Sequence, residues 1–312
     1  MKVILCRDYQ QNENKIHVQQ KKKTAVALGN FDGVHLGHAR LIDEIVKKKD
    51  MYSCVYTFEK HPGKAINKSF SIKIITDNTQ KVDILTQMGI DYVCFEQFEN
   101  VKDLPPADFV KKVLIDELNC GCAVCGCNFK FGKNAAGDAN FLKTELAKYG
   151  AECIIEPPVM YEDAIISSTR IRFLIESGAV DTASKLLGRP FSIRSVVIEG
   201  KKLGRTIGIP TINQKFNIDG ITPKYGVYIC RCIIDGKEYS AICDVGTKPT
   251  VGGTELLAET HIIDYSGFLY GKIIEVQFLK KIRDEEKFPN TEVLKEAINN
   301  DIKQAKKYFS CL

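Results

Sequence analysis

Thr24-Ala-Val-Ala-Leu-Gly29-Asn-Phe-Asp-Gly33-Val-His35-Leu-Gly37-His38 is the stretch whose reading decides the fold. Its first five residues form a short apolar run and predict a strand. Glycines and histidines follow, and Leu41, Ile42, Ile45 and Val46 then recur at helical spacing. A strand passing through a Gly-rich turn into a helix is the opening unit of a parallel α/β sheet. The turn itself suits phosphates. Gly29, Gly33 and Gly37 let backbone amides approach an anion, and the helix N-terminus adds partial positive charge. His35 and His38 are three apart, so both imidazoles can serve one ligand and stabilise charge building on a phosphate. An H-x-x-H pair alone is more often structural; its place between strand and helix moves the reading towards function.

Outward from this unit, the alternation continues to about residue 184. Cys54 to Phe58, Tyr92 to Phe95 and Cys153 to Glu156 read as strands. Between them Gln80 to Met88, Ala107 to Leu118 and Phe141 to Tyr149 read as helices, which predicts a doubly wound parallel sheet. From about Gly188 the rhythm changes. Gly226 to Ile234 and Glu238 to Val245 flank Asp235-Gly236 and predict a hairpin. Extended segments at Glu259 to Ile263 and Ile273 to Phe278 then suggest a small closed antiparallel β-barrel. Thr291 to Phe309 places Leu294, Ile298, Ile302, Ala305 and Phe309 on one face, as a helix packed on that barrel.

Length and composition agree with two domains. The chain has 312 residues, 44% hydrophobic and 27% charged, about twice the ~150-residue prior for one domain. Lys+Arg 44 against Asp+Glu 39 leaves +5, spread along the chain, which favours small anions no less than nucleic acid. The N-terminus has no signal-like apolar region, and no stretch approaches the ~18 apolar residues of a membrane span, so a cytoplasmic location is expected. Twelve cysteines would then stay reduced. Cys120, Cys122, Cys125 and Cys127 contain a C-x-x-C core, but no second knuckle follows. A buried strand is expected there and no zinc.

Two further stretches carry chemistry. Ser167-Ser168-Thr169-Arg170-Ile171-Arg172 caps a helix whose buried face is Ile171, Leu174 and Ile175. Its hydroxyls, with Arg170 or Arg172, make a second anion site, or else a plain capped helix with solvated arginines. In the C-terminal half, Gly200-Lys201-Lys202-Leu-Gly204-Arg205-Thr-Ile-Gly208-Ile-Pro-Thr211-Ile-Asn213 is a basic, Gly-rich loop entering a strand. Thr211 and Asn213 face the same way there, which suits a hard cation such as Mg²⁺ bridging ATP phosphates. Glu259 alternates with His261 on a later strand; on its own it reads as an exposed carboxylate.

These motifs together resemble the bacterial bifunctional riboflavin kinase/FAD synthetase family. The match runs through Thr57-Phe-Glu-Lys60-His61-Pro62, Gly126-Cys-Asn128-Phe129-Lys-Phe131-Gly132, the 166–172 segment, Tyr225-Gly-Val-Tyr228, Gly246-Thr-Lys-Pro249-Thr250 and Lys281-Ile-Arg283-Asp284. Lys60 and Glu199 depart from the usual pattern. The resemblance implies a Rossmann-like nucleotidyltransferase domain at 1–184 and a riboflavin kinase barrel at 185–312. It implies that the barrel phosphorylates riboflavin with MgATP, with Glu259 as base and Thr211 and Asn213 on the metal. The other domain would transfer AMP from ATP to FMN. His35, His38 and Arg170 would act there, with Gly29, Phe31, Gly33, Gly37, Ser168, Thr169 and Arg172 around ATP. Gly200, Lys201, Gly204, Arg205 and Gly208 would bind ATP in the barrel, and Asn128, Phe129 and Arg283 the flavins. Riboflavin, FMN and ATP are the expected partners, with neither nucleic acid nor membrane. An adenylyltransferase whose barrel only binds is the rival, and a zinc-built interaction protein a second one.

Overall fold

The computed structural model describes residues 2–6, 22–63, 72–200, 204, 207–250 and 253–311. The chain divides into two compact units, Met1–Ser168 and Thr169–Leu312. The first contains β1 (Lys2–Cys6), β2 (Thr24–Leu28), α1 (Leu36–Val46), β3 (Tyr52–Phe58), α2 (Asn78–Gln87), β4 (Tyr92–Glu96) and the π-helical α3 (Phe109–Glu117). These are followed by β5 (Cys120–Gly126), a small antiparallel pair β6 (Lys130–Phe131) and β7 (Gly137–Asp138), α4 (Ala139–Ala147) and β8 (Glu152–Glu156). The six-stranded sheet is parallel, in the order β1-β4-β3-β2-β5-β8.

The opening strand is buried on both faces, as its apolar run requires. Val26 and Leu28 pack with Phe109, Val113, Leu114, Leu142 and Leu146 on one side. Ala25 and Ala27 pack with Leu41, Ile42, Ile45 and Leu85 on the other. The cysteine run is β5, a strand between β2 and β8, where Cys120, Cys122 and Cys125 are buried. Burial pushes the Cys54 thiol up to about 12 and raises Cys120 as well, so these thiols behave as small neutral hydrophobes. Cys94 is disulfide-bonded, which corrects the expectation of a fully reduced set.

The helix expected from Ala107 to Leu118 forms with a difference. A short turn at Pro106–Asp108 runs into the wider π-helix α3, and the Leu118 amide reaches the Val113 carbonyl at 3.0 Å. An i to i−5 bond of this kind marks an extra residue accommodated in the turn. Before the second unit, β9 (Met160–Tyr161) and β10 (Ala164–Ile165) form a hairpin.

The second unit begins within α5 (Ser168–Glu176), followed by α6 (Val180–Leu187), which Gly188 closes in a left-handed cap at φ 74°. β11 (Phe191–Ile198), β12 (Ile212–Lys215), β13 (Gly226–Ile234), β14 (Lys237–Thr250), β15 (Gly253–Ile262) and β16 (Ile273–Arg283) close a barrel in the order β11-β12-β15-β14-β13-β16. Ala241, Cys243, Val245, Ala258 and Thr260 are fully buried, while Asp244, Glu259 and His261, which alternate with them, are partly exposed. The hairpin turn is Asp235-Gly236, both at positive φ, with Ile234 opposite Lys237. α7 (Thr291–Ser310) lays Ile298, Ile302, Ala305 and Phe309 over Ile229, Ile242 and Leu279. Its N-cap is Asn290, whose side chain accepts the Val293 amide at 2.9 Å. Among the described residues, no helix is long and apolar enough to cross a membrane.

Candidate active sites

The turn between β2 and α1 is held in a strained conformation by an unusual number of bonds. Phe31 (φ 46°), Gly33 (φ 83°) and Val34 (φ 38°) all lie in the left-handed region. For a β-branched residue such as Val34 this costs on the order of 1–3 kcal/mol and persists only where the surroundings enforce it. The enforcing bonds are visible. The Asn30 carbonyl accepts from the Thr57 hydroxyl at 2.9 Å and from the Lys81 ammonium at 3.2 Å. The Asp32 carboxylate accepts the Ile75 and Thr76 amides at 2.9 and 3.3 Å. The Asp32 carbonyl accepts from Ser168 Oγ at 2.9 Å, and the Gly33 amide donates to Thr76 Oγ1 at 3.1 Å.

At the end of that turn the two histidines lie together. His35 is the N-cap of α1, and its Nδ1 accepts the His38 amide at 3.3 Å. An accepting Nδ1 places the ring hydrogen of neutral His35 on Nε2. The two rings stack at 3.7 Å and 15°, and Phe31 lies 5.0 Å from His38. Gly37 packs closely here: a Cβ would stand 3.0 Å from the His35 ring. Gly29 packs its Cα against the buried Phe31 ring, and its amide reaches the Tyr56 carbonyl at 3.3 Å.

The other residues read from the motifs fall as follows. Ser168 spends its hydroxyl on the Asp32 carbonyl, tying the start of α5 to the turn, and the exposed Thr169 follows. Arg170 and Arg172 are half-buried on α5, with Ile171 and Ile175 on its buried face. Asn128 is exposed beyond β5, while Phe129 stacks on Phe131 at 5.5 Å. Lys81 carried no signal as a site residue, yet it is only 5% exposed. Burial lowers its ammonium to about 8, with the Asp32 charge opposing that shift. The clue was its place four residues before buried Leu85, on the apolar face of α2.

The barrel carries a second constellation on its outward face. Thr211 Oγ1 donates to Glu259 Oε1 at 2.7 Å. Asn213 lies directly opposite Glu259 across the β12–β15 ladder, and Asp244 opposite it on β14. The Asn213 amide rests on the Gly200 Cα, where a Cβ would run into Nδ2. Gly204 lies so close to the Ile209 carbonyl that no side chain fits there, and Gly208 takes φ 80°. Both glycines therefore fold the loop tightly before Thr211. Lys201 and Arg205 lie outside the described residues. His261 Nδ1 is 2.8 Å from the Pro210 carbonyl and braces the same segment.

The donors at this site are oxygens: a hydroxyl, an amide and a carboxylate. A hydroxyl that donates to Glu259 keeps its lone pairs for a cation, so the set fits a hard divalent metal that retains phosphate oxygens as ligands. Among the described residues, no group of three or more His, Cys, Asp or Glu is placed to hold a metal ion. The Arg283 guanidinium pairs with the buried Asp301 of α7 at 2.9 Å, donates to the Asp284 carbonyl and lies 5.4 Å over the Phe288 ring.

Comparison with known proteins matches both halves. Residues 17–170 match the FAD synthetase family model, and residues 187–309 match the riboflavin kinase model. The bifunctional riboflavin kinase/FMN adenylyltransferase of Bacillus subtilis is 34% identical over 94% of this chain and 95% of its own. The protein of that name from Buchnera aphidicola subsp. Schizaphis graminum is 36% identical over 93% and 95%. A crystal structure from Streptococcus pneumoniae, described as a macrolide-efflux protein, shares 32% identity, covers 92% of this chain and 94% of that one, and superposes with a TM-score of 0.84. The two-unit architecture, the strained histidine turn and these matches together place the chain in the bifunctional riboflavin kinase/FMN adenylyltransferase family.

Proposed function

We propose that the chain makes FAD from riboflavin in two ATP-dependent steps, one in each half, in the cytoplasm. The observation that carries this reading is the Thr211–Glu259 bond at 2.7 Å with Asn213 directly opposite. A barrel that merely bound a partner would not need a carboxylate, a hydroxyl and an amide brought to one spot. This speaks against the single-activity reading, and the two family models support both activities.

In the kinase half, residues 185–312, Glu259 accepts the proton of the ribityl 5′-hydroxyl. The hydroxyl oxygen forms its bond to the γ-phosphorus of ATP, and the bond to the β,γ-bridging oxygen breaks, giving FMN and ADP. Thr211 orients the carboxylate through Oε1 and leaves Oε2 for the substrate. Mg²⁺, which ATP-dependent transfer of this kind calls for, would be held by Thr211 and Asn213 and would neutralise phosphate charge. Gly200, Gly204 and Gly208, with Lys201 and Arg205, are assigned to the ATP phosphates, and Arg283 to the flavin.

In the adenylyl half, residues 1–184, an FMN phosphate oxygen forms its bond to the α-phosphorus of ATP, and pyrophosphate leaves. This nucleophile is already ionised, so no strong base is needed. The rate comes from positioning and from charge stabilisation by His35, His38 and Arg170. Gly29, Phe31, Gly33, Gly37, Ser168, Thr169 and Arg172 are assigned to ATP, and Asn128 and Phe129 to the flavin.

Purified protein incubated with riboflavin, ATP and Mg²⁺, with products separated chromatographically, tests the proposal. FMN rises first and FAD follows at its expense. FAD formed only from supplied FMN, with riboflavin untouched, would leave the barrel without the kinase role.

A further inference from the structure

Lys81 is a buried ammonium in a place where the fold does not require one. Its ring-side neighbour is Phe95, whose centroid is 5.8 Å from Nζ, and its hydrogen bond goes to the Asn30 carbonyl at 3.2 Å. That carbonyl already accepts from Thr57 at 2.9 Å, so removing the ammonium would strand no buried acceptor. An unbranched apolar side chain of similar length would fill the same space at less desolvation cost.

What the ammonium does hold is the histidine turn. Asn30 immediately precedes Phe31, the first residue of the strained run that ends at Val34 and leads into His35. Thr57 grips the Asn30 carbonyl from β3 and Lys81 grips it from α2, while Asp32 is fixed by the residues just before α2. The turn is therefore clamped between a sheet strand and a helix, with Lys81 the α2 side of the clamp.

We propose that Lys81 is a positioning residue for adenylyl transfer, holding the Asn30–Val34 backbone in the conformation that presents His35 and His38 to ATP. The inference rests on the reading of the first half as the adenylyl site. Its role is exerted through the Asn30 carbonyl and not by contact with substrate.

The test uses the full-length chain as Lys81→Met, Lys81→Arg, Thr57→Val and the Thr57→Val/Lys81→Met pair, with wild type and His38→Ala in parallel. Lys81→Met is expected to lower kcat for FMN to FAD by about tenfold. KM for FMN stays near wild type, as does riboflavin phosphorylation by the same chain, and the melting temperature does not fall. Lys81→Arg restores part of the loss. Because both donors act on one acceptor, the double variant loses more than the product of the single losses. Wild-type FAD formation by Lys81→Met overturns the proposal, as does a fall in melting temperature that accounts for the lost rate. If wild type itself makes no FAD, or His38→Ala makes it normally, the adenylyl assignment fails, and not the role of Lys81.

Discussion

Replacing Gly37 by alanine adds one methyl group and removes no chemistry, which makes it a sharp test of the histidine turn. The new Cβ would stand 3.0 Å from His35 Cε1 and 3.1 Å from Nδ1. Contacts that close force the ring to move by a few tenths of an ångström. The ring has little freedom, since it is stacked on His38 at 3.7 Å and its Nδ1 bond to the His38 amide is already 3.3 Å long. Losing that bond costs about 1 kcal/mol. Alanine in a helix regains roughly 0.5–1 kcal/mol over glycine, so the melting temperature barely changes. A 1 Å misplacement can lower a rate by about 10²-fold, so the smaller shift corresponds to about tenfold in FAD formation. The assay follows FMN plus ATP to FAD chromatographically, with riboflavin phosphorylation as the internal reference. A folded Gly37→Ala variant making FAD at the wild-type rate would refute the claim that the ring position matters.

The barrel offers the complementary test: Gly200→Ala drives a methyl into the Asn213 amide, so FMN formation should fall by about 10²-fold while FMN to FAD is unaffected in a steady-state assay. Asp301→Ala leaves the Arg283 guanidinium without its carboxylate and should cost about 3 kcal/mol, seen as a lower urea midpoint. Lys81 sets a pH dependence of stability. Its folded value, about 8, lies below its ordinary 10.5, so between these the unfolded chain binds more protons and stability rises with pH. Urea unfolding of wild type minus Lys81→Met across that window should show the rise, and a flat difference would contradict the burial of a charged Lys81.

Much of this was legible in the sequence because the signals were local. The apolar run Thr24 to Leu28, the glycines after it and the helical spacing of Leu41, Ile42 and Ile45 each specify their own element. Asp235-Gly236 specifies its turn in the same way. The cysteine strand was readable because small side chains suit a strand that pairs on both edges. What escaped was set by contacts distant in the chain. Thr57 and Lys81 meet only because β3 and α2 both reach the Asn30 carbonyl. The ion pair between Arg283 and Asp301 likewise joins a strand end to a helix eighteen residues later. The π-turn at α3 also has no local signature in the apolar spacing of Phe109, Val113 and Leu114.

The central claim is that two separate sites in one chain carry out consecutive steps. The direct measurement is product analysis of Glu259→Gln and His38→Ala, each alone and then mixed, with riboflavin, ATP and Mg²⁺. Glu259→Gln should form no FMN yet convert supplied FMN to FAD, His38→Ala should accumulate FMN, and the mixture should make FAD from riboflavin. Loss of both steps in either folded variant, or a mixture that stops at FMN, would contradict the account.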